Sequence, residues 1–411
     1  MFPYYPKINH ILHASKLIQT LFNYTPLTQH TDLSSKYKSN IFLKREDLTP
    51  VRSYKIRGAF NKMSSLPNKN GIVTCSAGNH AQGVAFSCNR LSIQGDIFMP
   101  KITTKQKIDK VKNFGGSYVN IFLEGSNFDE SFNIAKKHSL ENKKEFVHPF
   151  DDEKVIEGQA TVGLEIFKQH PTPRLIDYIF VPIGGGGLSA GLSSYIKEIN
   201  PKTKIIGVEP LGAPSMTEAF NAGKVITLNK INTFVDGASV KTVGDLNYKI
   251  CKKNIDNILL VNEGHVCSKI LEMYNESGYI IEPAGVLSLC ALDLMQEEIV
   301  NKNVVCVISG GNSDVFRMPE ILERSQIYHG LKHYFKIELP QRAGALKEFI
   351  MKCLGPNDDI IYFRYTKLIN KETGPIIIGI DVKEPSDVHS ILENMTSYDI
   401  TYEKLTNIND I

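Results

Sequence analysis

Over roughly the first 320 residues, short β-branched runs alternate with longer stretches whose apolar positions recur every three or four residues. The runs are "IFLKRED" (41–47), "GIVTC" (71–75), "GDIFMP" (95–100), "GSYVNIFL" (116–123), "DYIFVP" (177–182), "KIIGVEP" (204–210) and "NVVCVIS" (303–309). Between them, Ile56, Phe60 and Met63 mark one apolar helix face, and Val84, Ala85, Cys88 and Leu91 mark another. Strand and helix in alternation predict parallel strands with helical crossovers, hence an α/β fold. Such sheets bind ligands beyond the carboxyl ends of their strands, where several of these runs pass into glycine-rich loops.

The pattern changes after "ILERSQIYHGLKH" (321–333). "YFKIELP" reads as a strand, "RAGALKEFIMKCL" as a helix, and "DIIYFRYT" and "GPIIIGIDV" as two strands. A helix at "PSDVHSILENM" and a strand at "DITYEKL" complete βαββαβ, the ferredoxin-like order, in about 80 residues. Two domains are therefore expected, 1–325 and 326–411.

Composition narrows the class. The chain has 411 residues, 42% hydrophobic and 22% charged, the balance of an ordinary soluble protein with a large core. A net charge of +3 argues against a nucleic-acid or membrane-surface role. The basic run "KITTKQKIDKVK" (101–112) has no interleaved aromatics for base stacking and reads as a solvated helix face. Seven scattered cysteines, with no CxxC pair or Cys/His cluster, support neither a disulfide framework nor zinc; most read as small buried hydrophobes. With no signal-like apolar run and no stretch long enough to span a bilayer, a cytoplasmic protein is expected.

The chemistry starts at "PVRSYKIRGAF" (50–60). Ser53 reads as an N-cap, so Lys55 falls in the first helical turn, where the macrodipole disfavours a cation. Arg52 and Arg57 add two positive charges, and together these should lower the pKa of Lys55 and leave a nucleophilic amine for Schiff-base formation. The plainer reading is a lysine that snorkels out of its helix.

"VPIGGGGLSAG" (181–191) runs from strand through four glycines into a helix, an arrangement that presents backbone amides and a positive helix end to an anion. No Lys-Ser/Thr follows, so this is not a P-loop. Gly185, Gly187 and Ala190 also fit GxGxxA, with Glu209 ending the next strand, so on this motif a dinucleotide fold stands level with a phosphate cup. "SAGNH" (76–80) and "SGGN" (309–312) tip the balance, because they too follow apolar strands and offer small polar groups and free amides. A phosphorylated aldehyde acting on a carboxylate substrate needs a phosphate cup, a carboxylate cup, a partner for a ring nitrogen, and an amine.

In that order, "SYKIRGA", "SAGNHAQG", "GGGGL" and "SGGN" resemble the fold-type II (tryptophan synthase beta-like) pyridoxal-phosphate enzymes, and within them the threonine dehydratases. "KREDLTPVRSYKIRGA", "PFDDEKVIEGQATVGLEI" (149–166) and "EPAG" (282–285) extend the resemblance over residues 10 to 320. It implies a catalytic core of two open parallel-sheet α/β subdomains holding pyridoxal 5'-phosphate. Lys55 would carry the cofactor as a Schiff base and, once freed, act as general base. Asn79 would hydrogen-bond the ring hydroxyl, while Gly184, Gly185, Gly186, Gly187 and Leu188 would hold the phosphate. Ser309 would face the pyridine nitrogen; Ser76, Gly78, Asn79 and His80 lie on the loop that receives the substrate carboxylate. A serine cannot keep the ring nitrogen protonated as a carboxylate would, and the weaker electron sink suits elimination.

The activity so implied is loss of water from L-threonine to give 2-oxobutanoate and ammonia, the first committed step of isoleucine biosynthesis. Serine dehydratases and racemases share the core. Some members hold a divalent metal after "GVEP", but here Ser215 stands where an acidic ligand would help Glu209 and the Ala213 backbone. No metal is expected, and Glu209 reads as a helix-flanking acid. "FKIELPQRAGALKEF" resembles the opening of ACT-like regulatory domains, which in this family respond to isoleucine, sometimes opposed by valine. One copy is expected here, where the long biosynthetic members have two; the alternative is a domain that serves only assembly. A non-catalytic amino-acid sensor is the rival of another class, and the intact Lys55, Asn79 and Ser309 argue against it. The resemblance also implies a homodimer or homotetramer.

Overall fold

The structure, a computed structural model, describes residues 4–67, 70–365 and 371–405. Its internal contacts divide the chain into two units, Met1–Val315 and Phe316–Ile411. In the first, the strands are β1 (Leu27–Gln29), β2 (Asn40–Arg45), β3 (Ile72–Cys75), β4 (Gly95–Met99) and β5 (Val119–Leu123). They continue with β6 (Glu145–Phe146), β7 (Tyr178–Pro182), β8 (Lys204–Pro210), β9 (Asn257–Val261) and β10 (Asn303–Ile308).

Two sheets organise this unit, in the orders β1-β2-β10-β7-β8-β9 and β5-β4-β3-β6. Every pairing is parallel except β1 with β2, the α/β arrangement that the alternation predicted. Three strands were not read from the sequence: β1, β6 and β9. The first two are too short to show any period of their own. The helix Pro283–Leu294 is buried over most of its circumference and packs against β7 to β10, which requires the apolar, small-residue run it carries. All seven cysteines are buried and free. Among the described residues, no helix is long and apolar enough to cross a membrane.

The second unit contains β11 (Lys332–Pro340), β12 (Asp359–Tyr365), β13 (Thr373–Asp381) and β14 (Tyr402–Leu405), all antiparallel in the order β12-β13-β11-β14. Helices Ala345–Cys353 and Asp387–Ser397 supply its βαββαβ order. Alternation along the two central strands points Phe335, Ile337, Leu339, Ile376, Ile378 and Ile380 into one core with Phe349 and Ile391 from the helices. The last residue of the run "DIIYFRYT", Thr366, lies outside the described residues. A preceding helix, Met318–Tyr328, is fastened to the same sheet through Glu323, which accepts from Lys332 Nζ at 2.7 Å and from the Tyr334 hydroxyl.

The helix Lys55–Ser64 is seated in an unusual way. Ser53 is not its N-cap; that position is Tyr54, and Ser53 pairs with Gly310 as an isolated antiparallel bridge. A tertiary backbone partner has displaced the local cap. The helix then meets Glu153–Gln169 backbone to backbone, since a Cβ on Gly158 would lie 2.6 Å from Gly58 Cα and from the Arg57 carbonyl oxygen. Only glycine permits that approach.

Arg57 completes the seat. Its guanidinium is fully buried and binds Glu46 at 2.7 and 2.8 Å and Glu165 at 2.6 and 2.9 Å. Lys44, also fully buried, reaches Glu165 at 2.7 Å, so two cations face two carboxylates without net charge. The carboxylates hold the guanidinium above its usual pKa, and the cations hold Glu165 below the usual carboxylate range. Arg57 therefore does not act on Lys55 as the like charge the sequence suggested. Replacing it by methionine leaves two buried carboxylates with one cation, and we expect a loss of about 3–5 kcal/mol, read as a lower urea midpoint. A midpoint equal to that of the wild type would show that the cluster does not hold the helix.

Candidate active site

Lys55 is the first residue of its helix, and its Nζ donates to the Pro149 carbonyl oxygen at 2.8 Å, with the Phe150 ring centroid 5.9 Å away. Burial lowers its pKa to about 8, against an upward pull from Glu282. The depression is the one expected from the sequence; the cause is not, because desolvation does what the dipole and two arginines were expected to do. Arg52 instead adopts a left-handed backbone (φ 57°), and its carbonyl accepts the Gly311 N–H at 2.9 Å.

The turn that receives the amine is rigid. His148, half-buried and held neutral by a pKa lowered to about 4, accepts the N–H groups of Phe150 and Asp151 at 3.3 and 2.8 Å. Asp151 in turn accepts the N–H groups of Asp245 and Leu246 at 3.0 Å, at the start of the helix Asp245–Asn254.

The glycine loop follows β7 and opens the helix Gly187–Ile199. Among the described residues, the amides of Gly184, Gly185, Gly186, Gly187 and Leu188 have no acceptor, so consecutive donors lie at a helix N-terminus. Gly186 is left-handed (φ 90°), and a Cβ there would lie 2.8 Å from Met216 Cε. A Cβ on Gly185 would fall 2.4 Å from the Phe150 ring, which places this loop against the same turn that holds Lys55. Asn247 Nδ2 donates to the carbonyls of Gly185 and Phe150 at 2.8 and 3.0 Å, while its buried Oδ1 has no partner among the described residues.

Two further loops reach the same strand ends. After β3, the Ser76 hydroxyl accepts the Gly78 N–H at 3.2 Å, and nothing lies within 4 Å of a Cβ built on Gly78. The helix Asn79–Leu91 begins there, and the amides of Asn79 and His80 have no acceptor among the described residues. The His80 side chain turns the other way: its Nε2 bonds the Val147 carbonyl at 3.1 Å, and burial keeps it neutral with a pKa lowered to about 3. After β10, the Ser309 carbonyl accepts the Tyr54 N–H at 3.1 Å and its buried hydroxyl lies 3.4 Å from the Ala284 carbonyl.

The structure thus brings Lys55, the glycine loop, Ser309 and the 76–80 loop to the carboxyl ends of β2, β7, β10 and β3. It also brings in residues the sequence analysis gave no role. Phe150 lies in one quoted motif; Glu282 begins "EPAG" and Asn312 ends "SGGN", so each signal was present without an assignment. Asn79 Nδ2 donates to Glu282 Oε1 at 2.6 Å and Asn312 Nδ2 to Asn79 Oδ1 at 2.8 Å. Burial raises the Glu282 pKa to about 7. Glu209, by contrast, accepts the N–H groups of Met216 and Thr217 at 2.7 and 2.9 Å, the helix-flanking role read from its position. In the basic run, Lys107 pairs with Asp236 at 2.9 Å on an otherwise solvated helix, Lys105–Gly115.

A sequence profile of the pyridoxal-phosphate dependent enzymes matches residues 18–310, and one of the C-terminal regulatory domain of threonine dehydratase matches residues 323–410. The chain is 51% identical over 402 residues to a Halalkalibacterium halodurans protein named L-threonine dehydratase biosynthetic IlvA, covering 97% of this chain and 96% of that one. A solved structure of processed threonine deaminase isoform 2 from Solanum lycopersicum aligns with a TM-score of 0.72 and 36% identity, over 79% of this chain and 95% of that one. Maize serine racemase reaches the same TM-score at 29% identity, over 79% and 99% of the two chains.

The half-buried amine makes one outcome measurable without any ligand. Competitive acylation followed by peptide mass spectrometry should show Lys55 gaining reactivity as pH rises, with a midpoint near 8. A midpoint at the ordinary lysine value, about 10.4, would show that burial does not depress this amine.

Proposed function

Because the chain belongs to the threonine dehydratase family of pyridoxal-phosphate-dependent enzymes, we propose that it converts L-threonine to 2-oxobutanoate and ammonia. The observation that carries this reading is a half-buried amine of lowered pKa at the turn that also packs against a loop of unpartnered amides. These residues fit pyridoxal phosphate: a run of unpartnered amides on a loop packed so closely on Phe150 and Met216 that Gly185 and Gly186 admit no side chain, and an orphaned buried polar atom on Asn247 beside it. When bound, the cofactor supplies an electrophilic aldehyde and an aromatic ring that accepts electrons released at Cα.

The residues divide the work. Gly184 to Leu188 hold the phosphate through backbone amides, assisted by the dipole of a 13-residue helix. Lys55 would hold the cofactor through its amine, and once free that amine would be the base for the Cα proton. With a pKa of about 8, roughly a tenth of such amines are neutral at pH 7, far more than for an ordinary lysine. The amides of Asn79 and His80 bind the substrate carboxylate at a second helix N-terminus, with Ser76 and Gly78 shaping that loop. Asn79 would donate to the ring oxygen through its side chain. The Ser309 hydroxyl would serve the ring nitrogen; being neutral, it would not hold a proton there, which would favour elimination once the β-hydroxyl can depart.

Residues 326–411 form the regulatory domain in this reading, and 1–325 the catalytic one. The match of residues 323–410 to a threonine dehydratase regulatory domain supports a regulatory role for it; in this reading isoleucine is the inhibitor, sometimes opposed by valine. The enzyme acts in the cytoplasm as a homo-oligomer, dimer or tetramer.

Lys55→Ala should reduce 2-oxobutanoate formation by more than about 10³-fold while the far-ultraviolet circular dichroism stays that of the wild type. Turnover within an order of magnitude of the wild type would overturn the assignment of Lys55. Isoleucine should lower the rate and raise the melting temperature. If it does neither, the effector reading fails while the catalytic one stands.

A further inference from the structure

Asn79, Glu282 and Asn312 close a ring of hydrogen bonds. Besides the two contacts between side chains given above, the Asn312 backbone N–H donates to Glu282 Oε2 at 3.1 Å. The second hydrogen of Asn312 Nδ2 goes to the Val51 carbonyl at 2.8 Å. Three elements meet here: the start of the helix Asn79–Leu91, the N-cap of Pro283–Leu294 and the loop after β10. Room for the carboxylate comes from Gly310, where a Cβ would lie 2.4 Å from Glu282 Oε1. Glu282 is buried and makes no ion pair among the described residues. Its hydrogen bonds are therefore its main compensation for leaving water.

The ring can be assembled in only one sense. Glu282 in its ionised form accepts on both oxygens, Oε1 toward Asn79 and Oε2 toward the Asn312 N–H, so the nitrogen of the Asn79 amide faces Glu282. Asn312 Nδ2 donates and does not accept, so the Asn79 oxygen must face Asn312. An isolated asparagine can turn over and exchange its donor for its acceptor; this one is locked from both sides. After these bonds are counted, the Asn79 side chain has one hydrogen-bonding hydrogen left, the second N–H on Nδ2.

We propose that Glu282, with Asn312, is a positioning residue for the dehydration: it locks the Asn79 amide so that an N–H donor, and never the carbonyl oxygen, is offered to the oxygen on the cofactor ring. This rests on the pyridoxal-phosphate reading given above. The carboxylate is needed because it accepts on both oxygens. A glutamine there would set an NH₂ against either Asn79 Nδ2 or the Asn312 N–H, and the lock would break. Asn79 could then turn its oxygen to the ring oxygen, which would keep its own proton.

The test uses the full chain, stripped of cofactor and titrated with pyridoxal phosphate, for the wild type, Glu282→Gln and Asn312→Ala. For the wild type we expect saturable binding with a visible Schiff-base band. In both variants the band should lose intensity to the near-ultraviolet, with cofactor binding weakened about ten-fold. A tie that only joins three elements would lower the melting temperature and leave the spectrum alone. Variants with the wild-type spectrum and affinity would overturn the positioning role while the cofactor reading stands; a wild type without any such band would overturn the reading beneath it. If Glu282→Gln does not fold, Asn312→Ala, which keeps the Glu282 charge, decides by the same two readouts.

Discussion

The position of Lys55 depends on a guanidinium two residues further along the same helix. At about 100° per residue, Arg57 points to the far side of the helix from Lys55, away from the strand ends where the loops gather. There it binds Glu46, which follows β2, and Glu165, on the long helix Glu153–Gln169. Each charge is buried, so each can exist only while its partners are in place. The interaction is specific for that reason: a shift of the helix by a fraction of an ångström would strip a carboxylate of its donors. The glycine contact between Gly58 and Gly158 removes the remaining slack, because the two backbones already touch. The front of the helix inherits this precision.

What the front of the helix offers is an amine in dry surroundings among backbone donors. The two functions are kept on different groups. Unpartnered amides gather at the starts of two helices, Gly187–Ile199 and Asn79–Leu91; as the proposed anion cups they carry no formal charge and so do not raise the cost of the site before a ligand arrives. In the proposed mechanism proton transfer falls to Lys55, whose pKa is lowered by burial. Had arginines bound the phosphate and carboxylate, their charges would have reached the same amine. The two histidines of the neighbourhood are held in one state: His80 and His148 stay neutral because burial lowers both pKa values, and each is tied to backbone.

The second unit follows other rules. Its sheet is antiparallel and covered by helices on one face, with a closed core of its own around Phe335, Ile378 and Phe349. Because that core does not draw on the first unit, local alternation along β11 and β13 was enough to reveal its strands. The sheet order places the first and third strands of the unit at the centre, as the ferredoxin-like order requires.

By itself the sequence determined those features whose physical cause lies within one turn or one strand. These are the alternation that makes the first unit α/β, the three loops at strand ends, the lysine opening its helix, and the βαββαβ order of the second unit. Only the tertiary structure decided the features whose partners lie far along the chain. Ser53 lost its capping role to Gly310. Arg57 found carboxylates 11 and 108 residues away and ceased to be a like charge for Lys55. Asn79 met Glu282 and Asn312 across separations of 203 and 233 residues, which no local period encodes. Hydrophobic periodicity and turn chemistry are local consequences of backbone geometry. Burial, and the pairing of buried polar groups that follows from it, is settled only when distant segments pack against one another.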